Sequence, residues 1–371
     1  MWVPTSGRFL PESLPLSEVE GWGFSIQELS MIRALLLVLF TAGLASAQPK
    51  ALFYMIETPN SVKSFVEHAD KIDVIVPAWY SVDGNGLVWG GPNPEVLKVA
   101  AEHHVPVMPI VALATQAELH KLLTTQASKN AFKDALVSES KKNAYTGFQI
   151  DFENVNWTDR DLLSALVAET ASVLRQEKLQ LTIATVPNAP GFPGKSAFSH
   201  WLYANWRGSF DLKALAQSVD LICLMTYDQN TRWTMPGPVA GYPWTVENVE
   251  YALQFVPKEK LSMGIPVYGY HWFAGDPGKD EKPNPTAEYI GQHEIDGYVA
   301  AYHPKVEWDA VDRVSWFYFY RDDMRDWVFF TDKRGFQERL NIVRDRGLGG
   351  FCSWVLGAED PEIWSMLRSH K

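Results

Sequence analysis

Tyr145-Thr146-Gly147-Phe148-Gln149-Ile150-Asp151-Phe152-Glu153-Asn154-Val155 is the stretch from which the fold of this chain can be read. It alternates, and in an extended strand alternate side chains point to opposite faces. Phe148, Ile150 and Phe152 lie on one face; Gly147, Gln149, Asp151 and Glu153 lie on the other. A strand buried on both faces of a parallel sheet reads as a nearly unbroken apolar run. Here three polar side chains fall on one line that rises towards the strand's C-terminal end. Burying two carboxylates is costly unless they are paired, hydrogen-bonded or solvated in a cleft. Two acids at i and i+2 at a strand end therefore mark a site.

Outward from this strand the sequence repeats one unit from Lys50 onward: a short apolar run with a polar or aromatic end, then a helical pattern. Strands are expected at 51–57, 72–80, 105–112, 147–153, 179–187, 221–227, 261–270 and 349–356, with helical patterns between them and a terminal helix over 361–369. Eight strands separated by helices predict an α/β protein whose parallel sheet closes into a (β/α)8 TIM barrel. Active sites of such barrels lie at the C-terminal ends of the strands. Those ends carry Tyr54 and Glu57, Trp79 and Tyr80, Asp151 and Glu153, Asn188, Met225 with Tyr227 and Asp228, Tyr270 and Trp354. Acids and aromatics dominate, with almost no Lys or Arg, which suits a sugar cleft. The segment 272–332, between strands seven and eight, is too long for an ordinary connection. It is read either as strands packed on the barrel's side or as an insertion that walls the cleft.

Composition sets the bounds. The chain has 371 residues, 46% hydrophobic and 21% charged, enough for one large core. A formal net charge of −11 argues against a nucleic-acid partner. The aromatic share, 13% with 15 Trp, is high; core packing can absorb much of it, but Trp and Tyr also suit stacking on sugar faces. Met31-Ile32-Arg33, an apolar run over 34–40 and Ala45-Ser46-Ala47 describe a secretory signal peptide over 31–47, cleaved before Gln48. That reading makes 1–30 an over-extended start, leaves 48–371 as the catalytic barrel, and predicts a secreted, extracellular or periplasmic protein. An amphipathic N-terminal extension is the alternative. The apolar run is short for a membrane span, and no Cys follows the cleavage site, so no membrane anchor is expected. Cys223 and Cys352 fall on strands six and eight, which are not neighbours, so free buried thiols are expected rather than a disulfide. No cluster has metal-ligand spacing and no Gly-rich phosphate loop is present, so neither metal nor cofactor is expected; a monomer is expected.

The strand around Asp151 and Glu153 resembles the catalytic strand of glycoside hydrolase family 18, the chitinase and endo-N-acetylglucosaminidase family, whose pattern is Asp-x-x-Asp-x-Asp-x-Glu. The matching positions are Thr146, Gln149, Asp151 and Glu153, so the last two acids are kept. Leu224-Met225-Thr226-Tyr227-Asp228 resembles the family's sixth-strand signature, and Trp354 its eighth-strand Trp beneath the −1 sugar. Gly357-Ala358-Glu359-Asp360-Pro361-Glu362-Ile363-Trp364, with Asp151 to Val155, is most similar to the branch of spore-cortex and peptidoglycan hydrolases. The resemblance covers roughly residues 50–365 and implies a retaining, substrate-assisted glycosidase that acts on N-acetylglucosamine-containing glycans. It makes Glu153 the acid/base, Asp151 the group that orients the substrate's acetamide, and Tyr227 its hydrogen-bond donor, with Gln149 in support. Tyr54, Trp79, Tyr80, Asn188, Met225, Asp228, Tyr270 and Trp354 are then candidate sugar contacts. Gln149 cannot titrate as the family's Asp does and is expected to hydrogen-bond Asp151. Because the family also contains lectins, a catalytically silent sugar-binding barrel is the alternative, and which polymer is recognised stays open.

Overall fold

A computed structural model describes residues 49–113, 115–273 and 286–370. The expected over-extended start and signal peptide, 1–47, lie outside the described residues, as do residues 274–285 of the insertion. The chain begins its barrel with β1 (Lys50–Met55), β2 (Val74–Pro77) and β3 (Tyr80–Val82), and the short β4 (Val88–Gly90) folds back on β3. β5 (Ile110–Leu113), β6 (Gly147–Phe152), β7 (Gln180–Thr185), β8 (Leu221–Leu224) and β9 (Leu261–Pro266) follow, each parallel to the one before except that β5 pairs with β3. An antiparallel sheet then interrupts, built from β10 (Gly269–Trp272), β11 (Ala287–Ile290), β12 (Glu307–Asp309), β13 (Val314–Arg321) and β14 (Met324–Phe330). β15 (Gly350–Trp354) returns to the barrel between β9 and β1. A bridge between Ile75 and Val107 joins the β2 side to the strand leading into β5, and this closes the ring.

The alternation around Asp151 separates two apolar layers. Phe148, Ile150 and Phe152 point outward into the large core between strands and helices, which the helix Arg160–Gln176 covers with Leu163, Leu166, Val167, Ala171 and Leu174. That spacing of three and four is one helix stripe. The inward face meets a smaller cluster inside the barrel: Leu52, Tyr54, Val76, Ile110, Cys223 and Cys352. Gly147 opens β6 with φ 155°, and a Cβ there would run into the Gln180 carbonyl, so only glycine lets β6 lie this close to β7.

Three expectations need correction. The second strand breaks at Ala78-Trp79 into β2 and β3. The seventh barrel strand stops at Pro266; Tyr270 belongs to β10 of the second sheet, because the chain leaves the barrel at Val267 and Tyr268. The C-terminal helix is a 3-10 segment, Pro361–Met366. Cys223 and Cys352 are free and buried. Their strands flank β9 on either side, and both thiols lie in the inner cluster of the barrel, Cys223 accepting from Gln149 and Cys352 donating to the Ser262 carbonyl. Among the described residues no helix is long and apolar enough to cross a membrane.

Candidate functional site

β6 delivers Asp151 on its last inward-facing position, and Glu153 follows where the chain leaves the strand. Three cavities converge on Glu153. One, of about 290 Å³, is shared by Asp151, Tyr54, Tyr227, Asp228 and Trp354 with Tyr268, Tyr270 and Tyr289 of the insertion side. A second, of about 410 Å³, opens between β3 and β5 and is lined by Ser81, Asp83, Trp89, Thr115 and Glu118 together with both acids. The third, of about 170 Å³, lies beyond β7 and β8, with Pro187, Trp206, Arg207, Met225 and Tyr227. Glu153 is thus the common point of one branched cleft.

Burial alone pushes the Asp151 carboxyl up to about 6, with no neighbouring acid among its causes. Glu153 is pushed up to about 8, first by burial and then by the negative charges of Asp151 and Asp228. Asp151 Oδ1 is buried with no hydrogen-bond partner, as is the Tyr54 hydroxyl. Buried polar atoms are ordinarily satisfied, and since Asp151 and Tyr54 both line this cavity, a ligand in it is able to supply the partner. Burial also raises the Tyr227 hydroxyl well above its usual value, which keeps it a proton donor. Asp228 accepts from the Tyr268 hydroxyl at 2.5 Å and from Tyr270 at 3.5 Å, so the insertion is tied to the barrel rim at the cleft. The Trp354 ring stands 5.3 Å from that of Tyr54 and forms an apolar floor; the Trp354–Val355 peptide is cis.

Of the residues singled out in the sequence, Tyr54, Asp151, Glu153, Met225, Tyr227, Asp228, Tyr270 and Trp354 line one cavity. Trp79 and Tyr80 do not reach it. Tyr80 packs outside the ring, its hydroxyl against Glu139 and Tyr145, and Trp79 is buried in the outer core with its indole N–H on Glu57. The break between β2 and β3 turns both rings away from the cleft. Asn188 lines a separate cavity and donates to the Arg207 carbonyl. Gln149 is fully buried beneath Asp151, but its amide donates to Thr182 and Cys223 rather than to Asp151. The impression of a cleft without basic groups also fails: Arg207 and Arg232 line it, the first from the end of the helical turn Tyr203–Arg207 and the second from the loop after β8. Tyr268 and Tyr289 were missed as well. For Tyr268 a signal existed, since Tyr268-Gly269-Tyr270 repeats the aromatic at i and i+2; for Arg207 no short pattern points to it. Among the described residues no group of three metal-ligating side chains gathers.

Comparison with known proteins identifies the family and the fold. Residues 50–359 match the family described as glycosyl hydrolases family 18. An uncharacterized glycosylase YvbX of Bacillus subtilis is 22% identical over 347 residues, 91% of this chain and 96% of that protein. A cortical fragment-lytic enzyme of the same organism is 23% identical over 299 residues, and the match spans 78% of this chain but 65% of that protein's length. Among solved structures, a chitinase from Chromobacterium violaceum superposes with TM-score 0.75 at 22% identity, over 85% of this chain and 97% of that one. The spore cortex-lytic enzyme SleL of Bacillus megaterium gives TM-score 0.75 at 21%, over 86% and 73%. At these identities the structural likeness speaks for the fold.

Proposed function

This chain belongs to glycosyl hydrolase family 18 and is a glycosidase, and we propose that it is a secreted enzyme that cleaves N-acetylglucosamine-containing glycans with retention, the substrate's own acetamide acting as nucleophile. The observation that carries this reading is the unequal pair at the end of β6. Glu153, raised to about 8, holds its proton near neutrality, while Asp151, raised to about 6, has given its proton up. Two carboxyl groups pushed apart in this way divide the work of acid and base.

In the first step Glu153 donates its proton to the glycosidic oxygen as the bond to C1 breaks. The 2-acetamido oxygen of the sugar in the −1 position forms a new bond to C1 and closes an oxazolinium ring. Asp151, whose Oδ1 lacks a protein partner, accepts from the acetamide N–H and offsets the positive charge of the ring. Tyr227 donates to the acetamide, and the sugar's apolar face rests on Trp354. In the second step Glu153, now ionised, takes a proton from water as the water oxygen attacks C1; the ring opens and the configuration is retained. Gln149 acts from below, its amide tying β6 to Thr182 of β7 and Cys223 of β8.

The test is release of reducing ends from peptidoglycan strands, chitooligosaccharides and a high-mannose glycopeptide in parallel, with the product anomer followed by NMR. Cleavage with a β-configured first product that disappears in Glu153→Gln supports the reading. Inversion, or activity that survives Glu153→Gln, overturns it. Sugar binding by the wild type without cleavage of any substrate would leave a silent sugar-binding barrel.

A further inference from the structure

Arg207 carries a charge that the protein does not neutralise. Several arginines of the described chain have clear partners: Arg160 pairs with Asp211, Arg313 with Glu338, Arg321 with Asp326 and Arg346 with Glu250, while buried Arg339 donates to main-chain carbonyls. Arg232, the other arginine of the cleft, also has no ion pair among the described residues and lies near the Trp233 ring. No carboxylate among the described residues lies within ion-pair distance of the Arg207 guanidinium. It is half-buried, and its plane is held against Phe192, 4.4 Å from the ring centroid. Withdrawing a cation from water without a partner is unfavourable, and burial lowers the Arg207 pKa with no acid to offset it. The two acids that share its cavity are otherwise engaged: Glu153 holds a proton near neutrality, and Asp228 is bound by Tyr268 and Tyr270. A chain of net charge −11 repels anions in general, so a local cation at the cleft acts selectively.

Building on the glycosidase reading, we infer that Arg207 receives a carboxylate carried by the glycan beside the cleaved bond, so that the cleft prefers an anionic N-acetylhexosamine polymer to a neutral one. The planar guanidinium, stacked and facing the pocket that Glu153 and Trp206 also line, presents a fork that matches a carboxylate. Two sources supply that group: a lactyl ether acid on the sugar itself, or the carboxylates of a peptide stem attached to it.

The experiment compares three substrates of matched length: neutral chitooligosaccharides, peptide-free strands with lactyl acids, and strands with intact peptide stems. Wild type, Arg207→Lys and Arg207→Gln are assayed for kcat/KM, and binding of the same glycans is measured by calorimetry. In Arg207→Gln the ratio of kcat/KM on an anionic strand to that on the neutral one falls by about tenfold or more, the scale of one charge-assisted contact. The loss appears mainly in KM, and Arg207→Lys keeps part of it. A fall on peptide-free strands assigns the lactyl acid; a fall confined to peptide-bearing strands assigns the stem. An unchanged ratio, whether both activities drop together or neither does, overturns the inference, as does a wild type that prefers the neutral glycan. If no substrate is cleaved the glycosidase reading fails instead, and the calorimetric ratio still decides whether Arg207 selects the anionic glycan.

Discussion

The floor of the cleft and its rim come from different parts of the chain and obey different rules. The floor is strand: Tyr54, Asp151, Tyr227 and Trp354 sit at or just beyond the ends of β1, β6, β8 and β15, whose ladders hold them in fixed register. The rim is helical turn, loop and insertion: Arg207, Arg232, Tyr268 and Tyr289 reach the same space from segments that no barrel ladder constrains. A rigid floor suits groups that must meet reacting atoms to within a fraction of an ångström. A rim can change without disturbing them, and the selection among glycans inferred for Arg207 belongs to this part.

The comparison breaks most readily at the floor. Glu153→Gln is expected to lower kcat by about a thousandfold or more on every glycan, the range of a lost general acid–base catalyst, and Asp151→Asn by about a hundredfold. Steady-state kinetics on two unlike substrates checks that the losses are equal; a loss confined to one would move these groups to the rim. Next in size is pH. With Asp151 required ionised and Glu153 required protonated, kcat/KM should rise through about pH 6 and fall through about pH 8. The limbs belong to the pair, and a profile flat from pH 5 to 9 would contradict the assignment. Tyr268→Phe removes the hydroxyl that donates to Asp228 at the rim. It should raise KM by about three- to tenfold with kcat nearly preserved, and an equal effect on kcat would make Tyr268 part of the floor.

The smallest effect is on stability, and its sign is opposite to that on activity. Burial raises both acids above their usual values of 3.8 and 4.5, so the folded chain binds more protons than the unfolded one between those values and about 6 and 8. Stability therefore falls as pH rises through that window. Glu153→Gln removes the larger contribution and should raise Tm by about 2 °C at pH 9 with little change at pH 4. A destabilised variant at pH 9 would show that Glu153 is held by contacts rather than strained by burial.

How far the sequence revealed the molecule follows the same division. The alternation of β6 exposes Asp151 and Glu153 because a strand has a period of two and polar residues in a buried sheet stand out. The barrel is legible for the same reason, since each apolar run of a parallel strand is bounded by a helix. Trp79 and Tyr80 misled because alternation assumes an unbroken strand, and the chain bends between Pro77 and Tyr80. Gln149 was placed on the correct face, but whether its amide meets Asp151 or Thr182 depends on side-chain torsions that spacing does not encode. Arg207 lay beyond reach altogether. Such a residue acquires meaning from what fails to approach it, and only coordinates display that.

The closure of the ring has a consequence of its own. Between β6 and β7 the register runs over four residue pairs, Gly147 to Ile150 against Gln180 to Ile183. Across the β2–β5 joint, Ile75 gives and receives one hydrogen bond each, with Pro106 and Met108, before β3 takes over with Tyr80 and Ser81. A hoop yields at its clasp. Amides at this joint should trade their protons for deuterium sooner than those of β6, since the local opening breaks fewer bonds. Ser81 and Ala112, which meet just above the joint, also line the widest arm of the cleft. Breathing at the clasp would let that arm widen for a bulky polymer while the acids on β6 stay still.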